Sequence, residues 1–315
     1  MAVDIAAGTD VGGARRRARA VRLSTNDRIA VAIMVGVPTL VVGALIWFPT
    51  VASILLSFTN WDGIGGVNTA QWVGTRNYHE IATIYPPFWP AVKHNAIWLG
   101  FLAFVATPLG LFIAYQLDKE IRGSRIYQSI FYLPVVLSFA IIGFIWQLVY
   151  SPTQGLINNV FGDPSHGHVT DWLGNPKLNL WAILVAVGWR HAGYIMVLYL
   201  AGLKAIDPSL REAAAIDGAG EWHAFRTVVF PALRPINIVI VVVTVIEALR
   251  AFDIVYIINR GRNGLELLSV LVTDNIIGEA SRIGYGSSIA VILIVISIIP
   301  IIVFVWNSFQ EGSTS

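Results

Sequence analysis

Six long apolar segments in series set the strongest limit on what this chain can fold into: 29–58, 94–117, 130–150, 180–203, 232–258 and 287–309. A helix that crosses a bilayer needs about 20 mainly apolar residues, and each segment meets or nearly meets that length. One such segment could be a buried helix of a soluble protein. Six in series, with Trp47, Trp98, Trp146, Trp181 and Trp306 near their ends, instead fit membrane helices with interfacial aromatic anchors. Composition agrees. Apolar residues make up 56% of the chain and charged residues 13%, against roughly 45–50% and 25% in soluble domains. The sequence predicts an all-α integral membrane protein with six transmembrane helices.

Charge placement orients the chain. Arg15, Arg16, Arg17, Arg19, Arg22 and Arg28 crowd the segment before the first apolar run, and positive charge favours the cytoplasmic side. Residues 1–28 read as a disordered basic cytoplasmic tail with little to bury. Residues 29–309 read as the membrane domain, and 310–315 as a short cytoplasmic C-terminal tail. The first apolar run is longer than a signal-peptide core, so it reads as an uncleaved helix. Six crossings put loops 118–129 and 204–231 in the cytoplasm, and loops 59–93, 151–179 and 259–286 outside. No loop is large enough for a separate soluble domain. The net charge of +2 gives no reason to expect a nucleic-acid partner, and the chain has no cysteine for a disulfide, thiolate nucleophile or Cys-ligated metal.

Loop 204–231 carries the most information. Asp207 can cap a helix whose first residue is Pro208. Helix formers run from Ser209 to Ile216. Gly218 and Gly220 then allow a bend that a Cβ would hinder. A second short helix can follow from Glu221 to Val228, before Pro231. A helix–bend–helix element of this kind suits mechanical coupling to another protein. Ala213, Ala214 and Ala215 permit close approach. Leu210, Ile216, Trp222 and Phe225 offer apolar anchors, and Glu212 offers one charge.

The spacing Glu212-Ala213-Ala214, Gly218, then Val228-Val229-Phe230-Pro231 resembles the EAA loop of importer permeases driven by a separate ATPase. In that family the pattern is Glu-Ala-Ala, three residues, Gly, nine residues, and Ile-x-Leu-Pro. Val and Phe replace Ile and Leu here, which keeps the apolar character. Asp207-Pro208, Asp217-Gly218-Ala219, Trp222, Phe225 and Pro235 are similar to the carbohydrate, maltose-type branch of these ABC importer permeases. So are Trp72-Val73-Gly74-Thr75-Arg76-Asn77-Tyr78, Arg122-Gly123-Ser124-Arg125 leading to Phe131-Tyr132-Leu133-Pro134, and Gly284-Tyr285-Gly286. A large outer insertion found in some maltose-type relatives is missing.

That resemblance implies one half of a paired permease in a bacterial plasma membrane, beside a second homologous permease and membrane lipid. An ATPase dimer would bind ATP and Mg and dock on Glu212, Ala213, Ala214, Asp217, Gly218, Trp222 and Phe225. An extracytoplasmic sugar-binding lipoprotein would deliver the cargo, a disaccharide such as trehalose. No cofactor is expected in this chain. Two alternatives stand beside this reading: the same machinery carrying glycerol phosphate, and a secondary transporter coupled to protons.

Enzyme signatures are missing from the sequence. No lysine follows a glycine, so no P-loop is present, and there is no H-E-x-x-H or G-x-S-x-G motif. His166-Gly167-His168 has no evident third metal ligand and reads as a solvated loop. Charges within apolar runs are costly, about 2.5–3.5 kcal/mol each on insertion scales. Glu247, Arg250 and Asp253 recur at steps of three, which predicts neighbouring positions on one helix with Arg250 paired to either carboxylate. Arg190, His191, Trp189 and Tyr194 lie in the fourth run. Together with Trp146, Gln147 and Asn259, these residues are candidates for a sugar path or gate. A structural ion-pair network and a proton relay are the alternatives for the charged set.

Overall fold

A computed structural model of the chain describes residues 24–119, 121–161, 169–278 and 281–312. The arginine-rich tail through residue 22, the pair His166 and His168, and residues 313–315 lie outside the described residues. The chain divides into two packed units, Met1–Val51 and Ala52–Ser315.

The first long helix, α1, spans Thr25–Leu56. Ser24 and Asp27 form a reciprocal capping box, with Asp27 N donating to Ser24 Oγ at 3.2 Å and Ser24 N to Asp27 Oδ2 at 3.0 Å. The helix therefore starts upstream of the expected boundary at Ile29. Nothing between Thr25 and Val42 is buried.

The remaining helices are α2 (Arg76–Thr83), α3 (Phe88–Asp118), α4 (Ser124–Val136), α5 (Phe139–Val149), α6 (Leu156–Phe161) and α7 (Asn179–Ala205). They continue with α8 (Pro208–Ile216), α9 (Glu221–Ala224), α10 (Arg234–Leu249), α11 (Asp253–Asn259), α12 (Leu268–Ile276) and α13 (Ile283–Gly312). Among the described residues the only β pairing is an isolated bridge between Thr59 and Trp72, so the chain is all-α.

Among the described residues three helices, α1, α3 and α7, are each long and apolar enough to cross a membrane, and α4 with α5 makes a bent fourth candidate. Two expected continuous spans are broken. Segment 130–150 turns through 102° between α4 and α5. The cause is local: Leu137 is extended and Ser138 caps α5, its Oγ accepting from Ile141 N at 3.3 Å. Segment 232–258 breaks after Leu249, and Phe252 at φ −140° leads into α11.

Prolines leave a regular mark on the helices. Wide π-turns occur at Gly43–Trp47, Leu102–Ala106 and Phe225–Val229, each ending two residues before a proline: Pro49, Pro108 and Pro231. A proline has no N–H to donate four residues back, and its ring collides with that carbonyl. Widening the preceding turn relieves the clash and lets the helix continue.

Among the described residues three buried clusters organise the second unit, and two of them run through α7. One joins Trp98 and Leu102 of α3 with Ile183 and Val187 of α7, Ala248 of α10, Val255 of α11 and Val270 of α12. Trp98 is thus a core residue and not an interfacial anchor. The other cluster joins Leu117, Ile195, Met196, Leu203, Val229 and Leu233. Close approach depends on small residues. A Cβ on Gly193 of α7 would lie 2.2 Å from the Phe131 carbonyl oxygen of α4, so α4 can pass here only over a glycine.

The loops fall into two sets by contact. At one end, Arg211 and Glu221 reach Asp118 and Lys119. Elsewhere, Asn263 Nδ2 donates to Leu173 O, Asn179 Nδ2 to Asn263 O, and Gly284 N to Trp61 O. These sets match the alternation expected from the apolar runs: 118–129 with 204–231, and 59–93 with 151–179 and 259–286.

Candidate functional site

The helix–bend–helix of residues 207–229 forms as its sequence suggests. Asp207 Oδ1 accepts from Ser209 N at 2.9 Å, and that backbone bond holds the Asp207 carboxyl below the usual carboxylate range. After Ile216 the chain closes with two return bonds, Gly218 N to Ala215 O at 3.1 Å and Ala219 N to Ala214 O at 3.0 Å. This is a Schellman termination, and Gly218 sits at φ +78°. No heavy atom lies within 4 Å of where its Cβ would be, so the backbone angle, not crowding, demands glycine.

The element has an attached side and a free side. Ala214 is buried, and Phe225 packs edge-on against Tyr115 with ring centroids 4.8 Å apart. These two predicted docking residues therefore face their own bundle. Glu212, Ala213, Asp217 and Gly218 are exposed, and Ile216 and Trp222 are 86% and 72% exposed. Arg211, which the sequence did not single out for this role, ties the element down. Its Nη1 donates to Asp118 Oδ2 at 2.6 Å and its Nη2 to Leu203 O at 3.3 Å. Lys119 adds a bond to Glu221 at 2.7 Å, which raises the lysine pKa.

A second site lies where α10 breaks. Two orphaned helix ends are satisfied there by one buried side chain. Asn95 Nδ2 donates to Ala248 O at 3.3 Å, and Asn95 Oδ1 accepts from Leu268 N at 3.0 Å. Ser269 Oγ donates to Ala251 O. The break lines a cavity of about 340 Å³ with Trp98, Phe139, Glu247, Arg250, Phe252 and Asp253. Such a volume lies at the small end of ligand sites.

The charges around the cavity are not paired as their spacing predicts. Among the described residues no ion pair joins Arg250 to Glu247 or Asp253. The helix ends at Leu249, which takes Arg250 and Asp253 out of helical register and leaves both exposed. Glu247 instead bonds across to α7, 3.3 Å from Arg190 Nη1 and 3.1 Å from His191 Nδ1. His191 is fully buried, and its Nε2 lies 3.3 Å from both the Thr107 and Thr244 hydroxyls. The Arg190 guanidinium stacks 4.2 Å from the Phe139 ring centre.

The other predicted path residues are dispersed. Gln147 donates to the Ile257 and Ile258 carbonyls at 3.3 and 2.9 Å, closing the end of α11. Asn259 caps its own turn through Arg262 O and Gly261 N. Trp146 and Trp189 meet edge-on at 6.0 Å, and Tyr194 packs with the Leu117 cluster. None of these five lines the cavity. Trp98, Phe139 and Phe252 do line it. Their aromatic character was visible in the sequence, but their convergence depends on the helix break. Among the described residues no cluster of His, Cys, Asp and Glu could hold a metal.

Residues 106–311 match the family of binding-protein-dependent transport system inner membrane components. The xylose/arabinose import permease of Haloferax volcanii is 30% identical over 88% of this chain and 87% of its own length. The trehalose/maltose transport system permease of Thermococcus litoralis is 31% identical over 71% of this chain and 75% of its own. A chain of a bacterial ABC transporter that imports the acidic polysaccharide alginate has the same fold. Its TM-score is 0.77 at 18% identity, over 90% of this chain and 96% of that one.

Proposed function

The chain belongs to the family of binding-protein-dependent transport system inner membrane components, and from that premise we propose that it is half of the translocation path of an ATP-driven carbohydrate importer. It is a permease subunit, not an enzyme. The observation that carries the coupling reading is the free face of α8. Glu212, Ala213 and Ile216 are presented on a helix anchored from behind by Arg211, beside a bend only glycine adopts without strain. A surface of this kind passes force between a docked ATPase and the ends of α3 and α7.

In this reading the chain crosses a bacterial plasma membrane six times, with both ends and α8 in the cytoplasm. A homologous permease supplies the other half of the path, an ATPase dimer binds ATP and Mg, and an external binding protein delivers sugar. The cargo is a disaccharide of the trehalose or maltose kind, supported by the Thermococcus relative. The test is uptake of labelled disaccharides into vesicles holding the full complex with its binding protein. ATP-dependent uptake is expected. Uptake by this chain alone, driven by a pH gradient without ATP, would establish the secondary-transport alternative instead.

A further inference from the structure

We infer that the α10–α11 break is one of two shapes of a single helix, and that Asn95 is the positioning residue that pins it open. The second shape is a continuous helix over residues 234–259, in which the cavity at the break is lost. Its use in transport rests on the import reading; the pin itself does not.

The two broken helices differ in what breaks them. Between α4 and α5 the signal is local: Pro134 lies in the last turn of α4, and Ser138 caps α5. Between α10 and α11 no such signal exists. Leu249, Arg250 and Ala251 are strong helix formers, and neither glycine nor proline occurs from Ile236 to Asn259. Arg250 ends α10 at φ −88°, not in the left-handed region, and Phe252 starts α11 with no side-chain cap. Among the described residues neither Ala251 N nor Phe252 N makes a backbone hydrogen bond. The local sequence thus favours a helix that the fold interrupts, and conflicts of this kind mark functional elements.

The interruption comes from two distant side chains. Asn95 of α3 is 2% exposed. Its Nδ2 donates to Ala248 O at 3.3 Å, its Oδ1 accepts from Leu268 N at 3.0 Å, and Ser269 Oγ donates to Ala251 O. In a continuous helix those same two carbonyls accept from Phe252 N and Val255 N. Asn95 and Ser269 therefore compete with the helix for Ala248 O and Ala251 O. Releasing them exchanges side-chain bonds for backbone bonds, which keeps the two shapes close in free energy. It also returns Glu247, Arg250 and Asp253 to steps of three on one helix. Arg250 and Asp253, exposed and without an ion-pair partner among the described residues, then lie within reach of each other.

The test is amide hydrogen exchange across residues 251–255, in vesicles holding the complete complex without nucleotide. Asn95→Leu releases Ala248 O, so exchange should slow several-fold. Ser269→Ala releases Ala251 O and should slow it less. Loss of a bond that merely holds the fold together would loosen the segment and speed exchange, so the sign separates the two roles. If Asn95→Leu fails to assemble, Ser269→Ala decides alone. Ala251→Gly disfavours the continuous helix by about fivefold relative to alanine. It should lower uptake several-fold while assembly and resting exchange match the parent. Unchanged or faster exchange in the pin variants overturns the inference, and unchanged uptake in Ala251→Gly overturns the role of the second shape in transport. A parent complex that imports no sugar counts instead against the import reading and leaves the exchange result standing.

Discussion

Arg211 Nη1 lies 2.6 Å from Asp118 Oδ2, which fastens the exposed helix α8 to the last residue of α3. The Asp118 side chain is only 8% exposed and that of Arg211 is 38% exposed. Solvent at the guanidinium weakens the pair, so Arg211→Ala should cost about 1–2 kcal/mol, less than the ~3–5 kcal/mol of a fully buried pair. The loss should be local. Amide hydrogen exchange across residues 208–216 should speed up while α7 keeps its protection. Unchanged exchange in α8 would show that the helix is held without this pair.

Glu247 and Arg250, three residues apart, make a contrast between a held charge and a free one. Glu247 pairs with Arg190 and lies within hydrogen-bond distance of His191 across α7 and α10, so Glu247→Leu leaves Arg190 unpaired beside Phe139 and should destabilise by ~3 kcal/mol. Arg250 is exposed and pairs with nothing described, so Arg250→Ala should change stability by no more than about 0.5 kcal/mol. Thermal unfolding of the purified complex in detergent reads both. Similar melting losses for the two variants would contradict the assignment of Glu247 as the fixed member.

Helix packing offers a glycine pair with opposite expected signs. Gly193→Ala places a methyl 2.2 Å from the Phe131 carbonyl oxygen, so α4 must move and stability should fall by about 1–3 kcal/mol or more. Gly100 of α3 has nothing within 4 Å of its Cβ position. There Gly100→Ala should raise helix stability by about 0.5–1 kcal/mol. Melting temperatures of the two variants in the assembled complex would move in opposite directions. A harmless Gly193→Ala would mean that α4 does not sit so close to α7.

Local rules made part of this molecule legible before its fold was seen. Asp207-Pro208 as a helix start and Gly218 as a bend depend on cap chemistry and backbone angle within a few residues, and both form as expected. The grouping of the loops by contact agrees with the spacing of the apolar runs. The break at Ser138 carried a readable signal, a capping residue inside an apolar run, that hydrophobicity alone hides. The break after Leu249 did not. It is held by Asn95 and Ser269, far away in sequence, and it turns an expected row of charges into a cavity wall. Glu247 likewise finds its partners on α7, a pairing that spacing along one helix cannot reveal.

The most direct test of the account is sugar-stimulated ATP hydrolysis measured beside uptake, in vesicles holding the complete complex with Gly218→Val, Gly218→Asn or Glu212→Ala in this chain. Gly218 needs φ +78°. A β-branched residue resists that angle, whereas asparagine tolerates it better. Gly218→Val should lower uptake at least tenfold, through lost docking or through hydrolysis no longer linked to transport. Gly218→Asn should be milder, and Glu212→Ala should weaken docking or coupling with the cavity's sugar binding intact. If all three variants assemble, hydrolyse ATP in response to sugar and transport like the parent, residues 208–228 are not the lever between ATPase and membrane path.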